Sequence, residues 1–227
     1  MYLSQIPLNP SRRGTRKFLA SPQVIHAAVM NAYPPGVLDN PDADGRALWR
    51  LDRDARHINL YVVGPAEPDF THIVEQAGWP TTTAWATRKY SQLLDTLATG
   101  QRWHFRLTAN PVRVIQTRPD AAAAKQRGKV VPLKPHEYLD WLQHKATSSG
   151  FEICECGRQH QREPDVRVVG NETLRFERGQ RQVVLSAATF EGTLTVTDPD
   201  TLKAVLSNGI GRAKGYGCGL LTLAPTQ

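Results

Sequence analysis

Apolar residues follow two spacings along the chain, and the change from one spacing to the other predicts its secondary structure. Alternating apolar positions predict strands at MYLSQIPL, ALWRLD and HINLYVV, all in the first half. Between the first two strands we expect a helix from Ser21 to about Tyr33, with Ser21 as N-cap and Pro22 in the first turn. Pro34 and Pro35 then prevent its continuation.

The phase of this helix separates its apolar side from its histidine. The apolar side is predicted to hold five residues at helical spacing: Val24, Ile25, Ala28, Val29 and Ala32. At about 100° per residue, His26 lies roughly 130° from the centre of that side, near Met30 and Tyr33. His26 is therefore not expected to be a core histidine.

A second helix and a strand complete the first half. The string PDFTHIVEQAG predicts a helix that ends at Gly78, and a strand is expected around Thr87 to Leu94. The resulting order, β-α-β-β-α-β, is that of a ferredoxin-like (RRM-like) domain. We assign this predicted domain to residues 1–97.

The second half, residues 98–227, is predicted to repeat that order. After a strand that ends at Pro111 and a polar stretch from Thr117 to Lys129, PHEYLDWLQHKA predicts a helix. Its apolar side is predicted to hold Tyr138, Leu139, Trp141 and Leu142. Strands are expected around VRVV, TLRFER, QVVLSAATF and GTLTVTD, followed by a helix with Asp198 as N-cap and a last strand, LLTLA. We therefore predict an α+β fold of two tandem ferredoxin-like domains.

A glycine-rich loop separates the last predicted helix from the last strand. Its five glycines fall within eleven residues: Gly209, Gly211, Gly215, Gly217 and Gly219. Glycine adopts φ > 0 without strain, so backbone N–H groups of such a loop can converge on phosphate oxygens, while Arg212 and Lys214 add positive charge. The order helix, loop, strand and the absence of both nucleotide-binding glycine motifs argue against a nucleotide cofactor. The alternative is a loop that only lets the strand pack closely.

The net charge favours an anionic partner. The chain carries a formal charge of +7, and residues 101–227 hold eighteen Lys and Arg against twelve Asp and Glu. Without a basic amphipathic helix, we favour nucleic acid over an anionic membrane as the partner. With neither a signal peptide nor a long apolar run in the sequence, we expect a cytoplasmic protein.

Two basic clusters are candidate RNA contacts. The first is Arg12, Arg13, Arg16 and Lys17, and the second is Arg175, Arg178 and Arg181 on a predicted hairpin whose tip is Gly179 and Gln180. Arginine at this density suits phosphate recognition, but a solvated loop and a charged edge strand are the respective alternatives. No RNP1 string is present, which favours recognition by shape and backbone.

The cysteines predict neither a metal site nor a disulfide. Cys154, Cys156 and His160 form the one cluster that resembles metal ligands, and they supply three ligands where structural zinc sites need four. We therefore expect free thiols and no metal.

Four stretches of the chain resemble one known family. GIGRAKGYGCGLLTLAP resembles the C-terminal signature of the CasE family, the CRISPR type I-E endoribonucleases, and MYLSQIPLNP, FRLTANPVR and FEGTLTVTDP also fit. The resemblance implies the tandem ferredoxin-like fold and metal-independent cleavage of CRISPR repeat hairpins in precursor RNA, without a cofactor. It also implies 5′-hydroxyl and 2′,3′-cyclic or 3′-phosphate ends, and retention of the crRNA among the other subunits of Cascade.

The same resemblance implies a catalytic role for His26. RNA carries its own nucleophile, the 2′-hydroxyl, and histidine serves as a base or acid near neutral pH. Some relatives place a tyrosine one turn before this histidine and a lysine five residues after it, where this chain has Gln23 and Asn31. Tyr33 is then a candidate partner, with packing as its alternative role. The alternative function is a non-catalytic subunit that binds the RNA hairpin while His26 stays idle.

Overall fold

The computed structural model describes residues 1–39, 45–80, 85–115, 128–157, 162–179 and 181–226. Its α-helices are α1 (Arg13–Ala20), α2 (Pro22–Met30), α3 (Thr71–Ala77), α4 (Ser91–Asp95), α5 (Tyr138–Thr147) and α6 (Pro199–Asn208). The strands up to α5 are β1 (Tyr2–Leu8), β2 (Leu48–Arg53), β3 (Ile58–Gly64), β4 (Ala86–Lys89), β5 (Arg102–Ala109), β6 (Val112–Ile115) and β7 (Lys129–Pro132). The later strands are β8 (Phe151–Ile153), β9 (Glu155–Cys156), β10 (Glu163–Pro164), β11 (Val166–Arg178), β12 (Arg181–Val196) and β13 (Leu221–Pro225). Short 3-10 turns cover Pro135–Glu137 and Lys214–Tyr216.

The first half forms an antiparallel sheet in the order β2-β3-β1-β4. The predicted pairing of ALWRLD with HINLYVV is confirmed, since β2 pairs with β3 from Leu48 opposite Val63 to Arg53 opposite Ile58. The strand predicted around Thr87 to Leu94 is right only at its start. After Lys89 the chain turns into α4, because the N–H groups of residues 93 and 94 bond to the carbonyl of Tyr90.

The second half forms another antiparallel sheet, in the order β11-β12-β5-β13, with β8 also on β12. The sequence predicted four strands between α5 and α6, but β11 and β12 each run through two of them. Gly170 and Gly192, which separate the predicted strands, stay within the ladder opposite Thr189 and Phe105. The backbone of Asp165 lies where a β-carbon of Gly192 would be, so the ladder there requires glycine.

The end of the chain follows the sequence prediction closely. Asp198 caps α6, because its side chain accepts hydrogen bonds from the N–H groups of Asp200 and Thr201. The last strand, β13, pairs with β5 along its length. The hairpin between β11 and β12 is also confirmed, with Arg178 opposite Arg181.

The two sheets pack against each other through a shared core. Helices α1, α2 and α3 cover one face of the first sheet, where Phe18, Ile25 and Ile73 are buried. Leu48 and Val63 of the first sheet belong instead to the core of the second sheet. Both faces of the first sheet are therefore covered, one by these helices and the opposite one by the second half of the chain.

A buried arginine connects the sheets across this contact. Arg50 of β2 is 2% exposed, and its Nε and Nη2 lie 2.7 Å and 2.9 Å from the two carboxylate oxygens of Asp52. Its Nη1 donates to the carbonyls of Arg106 and Leu220 at 2.9 Å and 3.1 Å and lies 2.9 Å from Thr222 Oγ1. Leu220 directly follows the glycine-rich loop, so Arg50 fixes the end of that loop to the first sheet.

Replacing Arg50 with methionine is expected to lower the free energy of unfolding by about 3 kcal/mol, the low end for breaking a buried ion pair. Two carbonyls lose this donor, and the Asp52 carboxylate keeps only the longer contact with Arg106 Nη1, at 3.5 Å. Urea denaturation measures the change. The matched control is Arg53→Met on the same strand, where the exposed arginine should change stability by less than about 0.5 kcal/mol. Equal midpoints for the two variants would contradict the structural role of Arg50.

Candidate active site

Helix α2 places His26 at the edge of the first core. Ile25 and Val29 are buried as predicted, but Val24 is 41% exposed and contributes little to the core. His26 is half-buried and belongs to none of the core clusters, which agrees with its predicted position away from the apolar side. Its Nδ1 is shielded from solvent.

The ends of α2 differ from the prediction. Ser21 occupies the N-cap position with extended backbone, but its side chain makes no capping hydrogen bond. The helix ends at Met30, and Asn31 rather than Tyr33 follows it as the C-cap. Beyond that residue the chain no longer follows helical geometry, so helical phase does not place Tyr33 beside His26.

The 3-10 turn Lys214–Tyr216 brings the glycine-rich loop onto α2. A β-carbon added to Gly215 would lie 3.5 Å from Nε2 of His26 and 3.7 Å from Cδ2 and Cε1 of the same ring. The Nε2 edge of the imidazole therefore faces the loop at Gly215, with room between them for one methyl group. The structure joins two features that the sequence analysis identified separately.

The glycines of the loop serve two different purposes. Positive φ occurs at Gly209, Gly211, Gly217 and Gly219 but not at Gly215. A β-carbon on Gly217 would lie 2.6 Å from the Trp49 ring, and one on Gly219 would lie 2.7 Å from the Ile210 carbonyl. Close packing, the alternative, therefore accounts for these two glycines. At Gly215, by contrast, the atoms nearest to an added β-carbon belong to the His26 ring.

Lys214 carries a charge that its surroundings disfavour. The residue is half-buried, and its side chain passes beside Gly219. Burial lowers the pKa of Lys214, and the neighbouring charge of Arg46 lowers it further. Arg46 is exposed and reaches this position because its N–H donates to the Ser207 carbonyl at the end of α6. Nothing in the sequence indicated Arg46. A bound anion would relieve the repulsion between the two cations.

The first basic cluster forms a helix rather than the solvated loop of the alternative. Thr15 and Phe18 are buried and hold α1 against the protein, while Arg13, Arg16 and Lys17 are exposed. Arg12 is half-buried and donates from Nε to the Gly78 carbonyl at 3.3 Å. Three of these four cations therefore face solvent, and Arg12 has a structural contact.

The second basic cluster is described only in part. Arg175 is exposed on β11, and Arg212 is exposed in the glycine-rich loop. The side chains of Arg178 and Arg181, like Gln180 at the hairpin tip, lie outside what the structure describes.

Tyr33 lies in the core of the first half. It is 7% exposed, and burial raises the pKa of its phenol. Its ring occupies the space that a side chain on Gly64 would need, so the two residues are packed together. A phenol in this setting has no access to a substrate. The structure thus argues against the proton-transfer role predicted for Tyr33 and favours the packing alternative.

The described ranges contain no group of three or more His, Cys, Asp or Glu side chains that would hold a metal ion. Cys154 and Cys218 are buried and Cys156 is exposed, all three as free thiols, and His160 of the predicted cluster lies outside the described residues. Within the same ranges, no helix is long and apolar enough to cross a membrane.

Comparisons with known proteins agree over the whole chain. The family model described as CRISPR associated protein matches residues 1–225. The chain is 30% identical to the CRISPR-associated endoribonuclease Cse3 of Thermus thermophilus, in an alignment of 241 positions that covers 99% of this chain and 100% of that protein. It is 32% identical to the Cascade subunit CasE of Escherichia coli over 189 residues, or 79% of this chain and 89% of that protein.

Solved structures of Cse3 also match the chain over almost its full length. Cse3 bound to a 19-nucleotide RNA matches with a TM-score of 0.76 at 31% identity, covering 99% of this chain and 100% of that one. Thermus thermophilus Cse3 bound to an RNA that represents a pre-cleavage complex matches with a TM-score of 0.74 at 29% identity, covering 99% and 98%.

Proposed function

Because the chain belongs to the CasE family of CRISPR-associated proteins, we propose that it is an endoribonuclease that cuts precursor CRISPR RNA at its repeat hairpins and remains bound to the product as a Cascade subunit. Its 30% identity to an endoribonuclease over nearly the full length supports this activity. The observation that carries the proposal is the approach of Gly215 in the glycine-rich loop to His26 on α2. It brings a base together with the loop that carries Arg212 and Lys214.

We further infer that residues 1–97 and 98–227 are two ferredoxin-like domains. The order β2-β3-β1-β4 in the first sheet corresponds to β11-β12-β5-β13 in the second. When the four strands of each sheet are taken in chain order, helices follow the first and the third strand. In the first half these strands are β1 and β3, and in the second half they are β5 and β12. The second half is longer because it adds the β6–β7 and β9–β10 hairpins and β8.

The chemistry assigned to His26 needs no metal. Its imidazole takes the proton of the 2′-hydroxyl, and the 2′-oxygen attacks the adjacent phosphorus. The bond from phosphorus to the 5′-oxygen breaks as that oxygen takes up a proton, and the imidazolium afterwards returns its proton to solvent. The products are a 2′,3′-cyclic phosphate and a 5′-hydroxyl. A positioned base or acid of this kind contributes roughly 100- to 10,000-fold to the rate.

The RNA backbone is proposed to contact the cations around this site. Arg13, Arg16 and Lys17 form an exposed row on α1, and Arg212 and Lys214 lie in the loop beside His26. A phosphate between Lys214 and Arg46 would remove their mutual repulsion and stabilise both charges. We retain the backbone of Gly209, Gly211, Gly215 and Gly217, together with Arg12, Arg175, Arg178 and Arg181, as proposed RNA contacts.

One experiment separates this function from its alternative, a subunit that binds the hairpin without cutting it. The protein is incubated in EDTA with the repeat hairpin encoded near its gene, and both binding and cleavage are measured. Cleavage in EDTA supports the metal-independent enzyme. Tight binding with intact RNA, with or without added Mg²⁺, supports the alternative.

Replacing Arg13, Arg16 and Lys17 together with alanine is expected to weaken hairpin binding and to flatten its salt dependence. Each lost phosphate contact lowers the magnitude of the logarithmic salt slope by about 0.7 to 0.9, so this magnitude should fall by about 2 to 3 if all three residues make contacts. The control removes the exposed cations Arg113 and Lys129 of the β6–β7 hairpin. A triple variant with the slope of the control would exclude α1 from the RNA interface.

A further inference from the structure

Helix α2 carries no second proton-transfer group beside His26. Gln23 and Asn31 are exposed amides that do not titrate near neutral pH, and Tyr33 is buried away from the surface. Cleavage by the 2′-hydroxyl nevertheless involves two proton transfers. The 2′-oxygen loses a proton, and the departing 5′-oxygen must gain one because an alkoxide is a poor leaving group.

Lys214 and Tyr216 are the two residues of the 3-10 turn beside α2 that can donate a proton, and Lys214 is already assigned to phosphate. Tyr216 ends the 3-10 turn Lys214–Tyr216 and directly follows Gly215, the residue that faces the His26 ring. With Pro22 and Ile25 of α2, Tyr216 lines a cleft of about 290 Å³. Ile25 directly precedes His26, so this cleft adjoins the part of α2 that carries the histidine.

The ring of Tyr216 is held firmly. Its centroid lies 4.8 Å from that of Phe176 on β11, and its N–H donates to the Ala213 carbonyl at 2.9 Å. Ala213 adopts φ +62°, a left-handed conformation that costs a residue with a side chain about 1–2 kcal/mol. The surrounding structure therefore imposes this turn, and the turn fixes the tyrosine. Such rigidity is what a catalytic side chain requires.

The packing contacts of Tyr216 are made by its ring. The contact with Phe176 and the apolar cluster around Leu185 and Cys218 use the ring, which phenylalanine would supply equally well. Tyr216 is only partly buried, in contrast to Tyr33, and it lines the cleft. Its side chain therefore borders a space that a substrate can enter, one residue from the approach of Gly215 to the base.

On the basis of the proposed function, we propose that Tyr216 is the second proton-transfer residue of the site. His26 takes the proton of the 2′-hydroxyl, while the phenol of Tyr216 gives its proton to the 5′-oxygen as the bond to phosphorus breaks. The enzyme then holds an imidazolium and a phenolate. Proton transfer from the first to the second, directly or through water, restores both groups with no net change in protons.

Tyr216→Phe tests this role because it keeps the packed ring and removes the hydroxyl. Single-turnover cleavage of the repeat hairpin should slow by about 100-fold, the low end of the contribution of a general acid, while affinity stays within about twofold. Tyr33→Phe is the matched control and should cut within about threefold of wild type. A Tyr216→Phe protein that also cuts within about threefold would overturn the proposal.

A second substrate identifies the proton that Tyr216 supplies. In a hairpin with sulfur in place of the bridging 5′-oxygen, the leaving thiolate needs no proton. Tyr216→Phe should cut this substrate nearly as fast as wild type does, whereas a His26→Ala variant should stay slow. An equal loss on both substrates would overturn donation to the leaving oxygen. A wild-type protein that binds but cuts neither substrate would overturn the proposed function itself.

Discussion

His26→Ala is expected to abolish cleavage of the repeat hairpin and to leave its affinity nearly unchanged. A proton-transfer residue stabilises the transition state more than the bound ground state, so its removal lowers the rate of the chemical step and not binding. The loss should be at least about 100-fold. His26 is half-buried and lies outside the core clusters, so the variant should keep the fold.

The measurement uses one labelled hairpin for both binding and single-turnover cleavage. His72→Ala is a suitable control, because Nε2 of His72, on α3, lies 2.9 Å from the Ala28 carbonyl of α2, the helix that also carries His26. It should retain cleavage even if it loses some stability. A His26→Ala protein that cuts within about threefold of wild type would exclude His26 from the mechanism.

Local sequence signals predicted most of the first sheet and the end of the chain. Alternating apolar positions identified β1, β2 and β3, and the acidic cap with its proline identified α6. Helix α1 was missed because its two buried residues, Thr15 and Phe18, lie among cations that obscure the apolar pattern. The division of β11 and β12 was wrong because pairing with neighbouring strands overrides the local tendency of Gly170 and Gly192 to end a strand.

The candidate site was predictable in its parts but not in its assembly. Helical phase was enough to place His26 away from the core, because both the residue and its reference positions lie within α2. The same reasoning failed for Tyr33, which follows the end of the helix. Three features join distant parts of the chain: the approach of Gly215 to His26, the position of Tyr216 on the cleft and the effect of the Arg46 charge on Lys214. Only the packing of the two sheets determines them.

Gly215→Val is expected to reduce cleavage by about 100-fold in a protein that still folds. A β-carbon at this position makes ordinary contact with the His26 ring at 3.5 to 3.7 Å, but the two methyl groups of valine extend beyond it. They should displace either the imidazole or the RNA, and a displacement of about 1 Å can cost about 100-fold in rate. Backbone strain does not contribute, because Gly215 does not have positive φ.

Gly215→Ala is the matched control for this change. Its single methyl group fits beside His26 at the distances given above, so we expect cleavage within about threefold of wild type. Gly217→Ala provides the contrast, since φ is +82° and the new β-carbon would lie 2.6 Å from the Trp49 ring. That variant should lose stability, whereas Gly215→Val should melt near the wild-type temperature.

The three glycine variants together distinguish a loop that positions substrate from a loop that only packs. Circular dichroism and thermal melting report the fold, and single-turnover cleavage reports the site. If the folded Gly215→Val protein loses cleavage while Gly215→Ala keeps both its fold and its cleavage, the rate depends on the space between the loop and His26. If Gly215→Val binds and cuts like wild type, the approach of Gly215 to His26 has no role in catalysis, and the central observation behind the proposed site fails.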